Sequence, residues 1–148
     1  MTYRERLWPG PWIFIATALL IPGGLLVFLP IGVWVGIPAS IILYAAAVVF
    51  LVATTPTVSV DASTFTAGRA RLPLAAVGEV AVISGDEAFI ARGRGLDARA
   101  YTLIRGWVKD VVRIENIDPN DPAPYWLVSS RRPEELAAAL DAARQRSA

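Results

Sequence analysis

PWIFIATALLIPGGLLVFL, residues 11–29, is followed after only four residues by WVGIPASIILYAAAVVFLVAT, residues 34–54, and neither segment carries an acidic or basic side chain. As helices rising about 1.5 Å per residue they would measure roughly 28 and 31 Å. A bilayer's hydrocarbon core is about 30 Å thick. Charge is absent over a longer run still, from beyond Arg6 to just before Asp61. Water does not accommodate so extended an apolar surface, so residues 11–54 are expected to form a two-helix transmembrane hairpin. Pro30, Ile31, Gly32 and Val33 leave room only for a tight turn, which makes the helices antiparallel neighbours.

A cleaved secretory signal is a rival reading of any apolar N-terminal stretch. Against it, the second span follows at once and no Ala-x-Ala-like cleavage site precedes a mature domain. Pro22-Gly23-Gly24 interrupts the first span, which leaves a re-entrant hairpin as another alternative; a kink with a close-packing surface for the second helix, against Ala45, Ala46 and Ala47, is the plainer expectation. Neither span holds the buried acid or base that marks a transport pathway.

The flanks give an orientation. Arg4 and Arg6 precede the first span and Arg69 and Arg71 follow the second, while the turn between the spans has no Lys or Arg. The positive-inside rule then places residues 1–10, an N-terminal flank, and residues 57–148 in the cytoplasm of a cell whose inner membrane the hairpin crosses. Trp8 and Trp12 fall at the expected inner interface and Trp34 at the outer one, where an indole keeps its ring in apolar surroundings and its N–H near water.

Past Thr54-Thr55-Pro56 the composition changes abruptly, and residues 61–148 carry twelve Lys/Arg and twelve Asp/Glu. Alternating, β-branched runs predict strands at 57–61, 64–67, 69–72, 77–84, 100–104, 109–117 and 125–129. Short strands punctuated by Gly, Asp and Pro suggest a small antiparallel barrel or sandwich. Pro133 suits the first turn of a closing helix, with Glu134 and Glu135 near its positive end, Arg144 and Arg146 near its negative end, and Leu136, Leu140 and Ala143 as one apolar stripe. The expected class is therefore a membrane helical hairpin joined to an α+β cytoplasmic domain.

The whole chain has no cysteine and no histidine. Disulfides, thiolate chemistry and the commonest metal and proton-shuttle ligand are thereby excluded, and a charge balance near zero gives no polybasic signature for nucleic acid. Glu79, Asp86, Glu87, Asp110 and Glu115 are the carboxylates open to acid–base work, but no spacing pairs any two, and no nucleophile with an adjacent base is recognisable. A non-enzymatic protein without metal or cofactor is expected.

Two groups of residues invite a binding reading. Arg92, Gly93, Arg94, Gly95, Asp97 and Arg99 form the densest basic stretch, and with Arg69 and Arg71 could meet anionic headgroups; the plainer alternative is a solvated turn in which Asp97 pairs one arginine. Gly93-Arg94-Gly95 lacks the third glycine of a dinucleotide fingerprint. Asp118-Pro119-Asn120-Asp121-Pro122 offers oxygen ligands but not the glycine and bidentate Glu of a calcium loop, so a rigid turn is expected, held by proline and Asx side chains. It would present Tyr125 and Trp126 at the start of a strand, as core or as a partner-facing pair, core being the default. Ser130 reads as a possible helix cap.

Strands followed by one C-terminal helix, opening VSVDASTFTAGRARLPLAAVGEV, resemble the bacterial pleckstrin-homology-like domains found behind membrane helices. A longer likeness rests on Tyr3-x-Glu5-Arg6-Leu7-Trp8, on residues 66–74 (TAGRARLPL), on residues 96–101 (LDARAY) and on residues 118–133 (DPNDPAPYWLVSSRRP). In these motifs and their order the chain resembles the actinobacterial membrane proteins of domain-of-unknown-function family 3093. That resemblance implies a hairpin and a PH-like domain but no activity. The partners expected are membrane lipids together with a protein or a second copy of the chain.

Overall fold

The computed structural model describes residues 3–147, with side chains through Arg146. Met1, Thr2 and Ala148, which the expected segments 1–10 and 57–148 include, lie outside the described residues. The chain divides into two compact units, one of residues up to Leu7 together with those from Pro56 onward, the other Trp8–Thr55.

The second unit is helical. It contains α1 (Pro11–Ala18), α2 (Leu20–Phe28) and α3 (Val33–Ala53). Two stretches, Pro11–Phe28 and Val33–Ala53, are long and apolar enough to cross a membrane. The first is broken at Leu19, most of a turn before Pro22 itself. Pro22 has no N–H to give the Ala18 carbonyl and its ring crowds that oxygen; the Leu19 N–H turns instead to Ala16 O at 3.2 Å, and regular bonding resumes with Gly23 N–H to Leu19 O at 3.0 Å. Phe28 O accepts from both Ile31 and Gly32, and Gly32 continues at φ 139°, a conformation that L side chains rarely adopt.

Close packing between the antiparallel helices falls at Gly24 and Ser40, both buried, and at Gly36, which faces Leu25 and Phe28. A Cβ built on Gly24 would lie 2.5 Å from Ser40 Oγ. Ala45, Ala46 and Ala47 do not take that role. In a hairpin turning near residue 32, Gly24 comes opposite residue 40, while the three alanines oppose residues near Thr17.

The other unit is α+β. Its first strand, β1 (Tyr3–Arg6), precedes the helices in sequence, and β2 (Thr57–Val60), β3 (Thr64–Ala67) and β4 (Ala70–Pro73) follow them; the four form an antiparallel sheet in that order. The register sets Arg6 opposite Thr57 and Tyr3 opposite Val60. A 3₁₀ turn at Leu74–Ala76 leads to a second sheet of β5 (Val77–Ile83), β6 (Tyr101–Leu103), β7 (Val111–Asn116) and β8 (Tyr125–Ser129), in the order β5-β7-β8-β6 with β6 parallel to β8. Helix α4 (Gly85–Arg92) follows β5, and α5 (Pro133–Ser147) is the last element.

All seven expected strands are present with ends within two residues, as is the closing helix with its buried stripe of Leu136, Leu140 and Ala143. Val58, Val60, Phe65, Leu72, Ile114, Trp126 and Val128 meet that stripe in one core. Each such side chain is worth roughly 1.5–3 kcal/mol on burial. A smaller cluster of Ala88, Val111, Tyr125 and Leu127 lies on the other face of the second sheet, so every residue of β8 is buried.

The strands are not antiparallel throughout as expected: β6 runs parallel to β8, because the chain reverses direction twice between them, into and out of β7. Two elements also differ from expectation. Residues 3–6 are not a loose flank: Tyr3, Glu5 and Leu7 are buried and Arg4 and Arg6 exposed, the alternation of an edge strand with one face on a core. Residues 85–92 form a helix whose inward positions are alanines, Ala88 and Ala91, against β8 and β7. Its larger apolar side chains, Phe89 and Ile90, face outward.

Candidate functional site

The strand β1 brings a carboxylate into the domain. Glu5 is 6% exposed, and its oxygens accept hydrogen bonds from Tyr3 Oη at 2.8 Å, Ser130 Oγ at 2.7 Å and the Arg131 N–H at 2.9 Å. A buried carboxylate is tolerable when several donors satisfy it, as here. Burial is the leading cause that pushes the Tyr3 phenol up to about 12, with the Glu5 contact adding to it. Arg132 lies over the Tyr3 ring at 5.4 Å. Ser130 caps by accepting the Arg132 N–H at 3.1 Å, one residue before α5, and its hydroxyl proton goes to Glu5 rather than to the helix.

Two residues further along, the Leu7 N–H donates to Pro56 O at 3.0 Å, and Leu7 O accepts from the Trp107 indole at 3.1 Å. The two points where the chain leaves the domain for the helices and returns are thus hydrogen-bonded neighbours. The β3–β4 turn joins them, because the Gly68 N–H reaches Thr57 O at 2.9 Å with φ 65° at Gly68. This end of the domain, which we call the junction end, also holds the 104–110 loop.

The arginines singled out in the sequence separate into different environments. Arg92 ends α4, half-buried, and donates to Ala88 O and to Val108 O at 3.1 and 3.2 Å. Arg99 is held by Asp97 through a bidentate pair at 3.2 and 3.0 Å, as one of the two readings required; the pair lowers the Asp97 carboxyl and raises the Arg99 guanidinium. Arg94 is exposed in the loop after α4, Arg69 is exposed in the turn beside Thr57, and Arg71 is exposed on β4.

Tyr125 and Trp126 are both buried, on opposite faces of β8. Trp126 lies 4.3 Å from Tyr101 and 5.9 Å from Phe65, ring to ring. Tyr125 Oη accepts the Asp97 N–H at 2.8 Å, and the Arg113 guanidinium stacks over its ring at 4.3 Å. The 116–123 segment is a succession of Asx turns: Asp118 N–H to Asn116 Oδ1, Asn120 N–H to Asp118 Oδ1 and Ala123 N–H to Asp121 Oδ1, all within 3.1 Å. Trp8, Trp12 and Trp34 are all exposed, Trp34 at 91%.

An open cleft on the outer face of the second sheet is lined by Glu79, Ala81, Arg113, Glu115 and Pro124. Glu115 Oε2 accepts the Glu79 N–H at 3.0 Å. Among these lining residues no nucleophile meets a base. Among the described residues no group of three or more acidic ligands is arranged to hold a metal ion.

These features define a small α+β domain with two apolar helical stretches inserted between its first and second strands. The chain belongs to the family described as protein of unknown function, DUF3093, whose model matches residues 2–140. Comparison with curated proteins and with solved structures gave no match.

Proposed function

We propose that this chain is a non-enzymatic inner-membrane protein whose two apolar stretches span the bilayer as a hairpin and whose PH-like domain, on the cytoplasmic side, serves as an assembly platform for a protein partner or a second copy. The observation that carries the reading is the pairing of β1 with β2, closed by the Leu7 N–H to Pro56 O bond. A strand on each side of the helical insertion, zipped together, keeps both flanks on one side of a membrane. Two sheets closed by α5 support the PH-like likeness, and the positive flanks Arg4, Arg6, Arg69 and Arg71 support the orientation.

Photo-crosslinking of the full chain in native membranes tests the platform. A discrete adduct with itself or with one protein is expected; a chain that yields none, and is monomeric after extraction in several mild detergents, would contradict it.

A second reading, recognition of anionic headgroups, is favoured by exposed Arg69, Arg71 and Arg94. Arg92 and Arg99, expected to share in it, are engaged by Val108 O and Asp97.

A further inference from the structure

Alternation along β7 puts Val112 and Ile114 in the main core and Arg113 and Glu115 on the opposite face of the sheet. That outer face is covered where Ala88 and Ala91 of α4 and Leu96 pack on Val111 and Leu127. It is open at the cleft, where Arg113 stands opposite Ala81 of β5 with a carboxylate to either side: Glu115 two residues along its own strand, and Glu79 two residues from Ala81. Residues two apart on a strand share a face and lie roughly 6–7 Å apart, close enough for opposite charges to pair.

Arg113 and Glu115 do not pair. Between Val77 and Val80 the strand β5 carries an extra residue, so that Gly78 and Glu79 together oppose Glu115. Glu115 turns onto this bulge. Its Oε2 accepts the Glu79 N–H at 3.0 Å, and a Cβ on Gly78 would lie 2.6 Å from the same oxygen. The Gly78 carbonyl accepts from Arg144 of α5, so two side chains hold the bulge and Glu115 is committed to it.

Arg113 is held by an aromatic ring instead. Its guanidinium lies 4.3 Å from the centre of the Tyr125 ring, which is buried and fixed through its Oη by the Asp97 N–H at 2.8 Å. The Asp97 carboxylate is taken by Arg99. Among the described residues neither the Arg113 guanidinium nor the Glu79 carboxylate has a hydrogen-bond or ion-pair partner. A guanidinium stacked in place with its planar fork of donors unused is a preformed receptor for a carboxylate. The two flanking glutamates restrict what can use it, because an anion alone meets their repulsion, whereas a ligand that brings its own cation satisfies them.

We propose that this cleft binds a short zwitterion, a molecule carrying a carboxylate and an ammonium group a few bonds apart, as amino acids do. The carboxylate meets the Arg113 fork, the ammonium lies between Glu79 and the oxygen of Glu115 that the bulge does not engage, and the carbon chain rests on Ala81 and Pro124. Gly78 and Arg144 are positioning residues, since they hold the bulge that turns Glu115 aside. The site lies within the α+β unit and depends on neither the membrane-spanning reading nor the assembly platform.

Isotope-labelled L-alanine and γ-aminobutyrate, titrated against the full-length chain in detergent, test the site through the broadening of the ligand's own NMR signals. Acetate and ethylammonium, which carry one charge each, are the comparisons. At least one of the zwitterions should bind saturably, and each singly charged molecule about tenfold more weakly or worse, the loss that one charged hydrogen bond brings. Arg113→Gln and Glu79→Gln should each weaken the zwitterion by about the same factor; both positions are exposed, so the fold is kept. Ala81→Leu, which fills the floor of the cleft and alters no charge, should abolish binding, and the two charge variants carry the test should it fail to fold.

Saturation by neither zwitterion would overturn the proposal. Acetate binding as tightly as the zwitterion would overturn it too, leaving a plain anion site at Arg113, and equally tight ethylammonium would leave only a pair of carboxylates. Binding unchanged in the folded Ala81→Leu variant would assign the ligand to another part of the molecule and refute the site.

Discussion

Ser130 Oγ donates to Glu5 Oε2 at 2.7 Å, joining the strand that precedes the helical insertion to the end of the last strand, 125 residues later. This bond closes the domain across the helices, with Tyr3 and the Arg131 N–H completing the set of donors.

Glu5→Ala should therefore destabilise the domain by about 3 kcal/mol, because two buried hydroxyls and the part-buried Arg131 N–H lose their acceptor. Glu5→Gln, which keeps one carbonyl acceptor, should cost less than half of that. Chemical denaturation of the full chain in detergent, followed by the near-UV signal of its tryptophans, measures both.

Alkaline stability should depend on Tyr3. The phenol titrates near 10 when unfolded and is pushed up to about 12 in the fold. For an acid raised in this way, the contribution to stability is fully present below pH 10 and is lost as the pH rises through 12. The wild type should lose stability over that window more steeply than Tyr3→Phe, which has no such proton to lose. Equal slopes would show that the phenol is not the group responsible.

In the helical unit, Gly24→Ala and Gly23→Ala should behave differently. A Cβ at position 24 meets Ser40 Oγ at 2.5 Å, whereas nothing lies within 4 Å of one at position 23. The first should cost about 1–3 kcal/mol by overpacking and the second close to nothing. Combining Gly24→Ala with Ser40→Gly should recover most of the loss, which thermal unfolding in detergent would report.

Trp126 should tolerate phenylalanine better than its burial suggests. Its ring sits between Tyr101 and Phe65, but its buried indole N–H has no acceptor among the described residues. Trp126→Phe keeps an aromatic ring and removes the orphaned donor, so a cost of about 1 kcal/mol is expected. Trp126→Ala should cost about 3–5 kcal/mol. The ratio between the two, from equilibrium unfolding, is the test.

Most of the domain was legible because its strands alternate and its closing helix repeats apolar residues at helical spacing. β1 escaped notice because one of its two inward positions is Glu5, and a charged residue at a core position hides the alternation that runs from Tyr3 through Glu5 to Leu7 just beyond the strand. α4 escaped for the opposite reason: its buried positions are alanines and its phenylalanine faces out, so periodicity points away from the core, and flanking glycines read as a loop. The contact of Gly24 with Ser40 was within reach, since a turn near residue 32 fixes which residues of the two helices meet. The separation of Arg92, Arg94 and Arg99 was not, because it depends on Val108 and on a helix that the pattern conceals.

The most direct test is the side of the membrane on which each segment is found. Ile31, exposed in the turn between the helices, and Ser63, exposed in the β2–β3 turn of the domain, can each be replaced to give a chain with a single cysteine, as Ile31→Cys and Ser63→Cys. Each variant is then challenged with a membrane-impermeant maleimide in intact cells. The thiol at position 31 should react at once, and the thiol at position 63 only after the membrane is opened. Reaction at both positions in intact cells, or at position 63 alone, would contradict a hairpin that begins and ends at the zipped pair of β1 and β2.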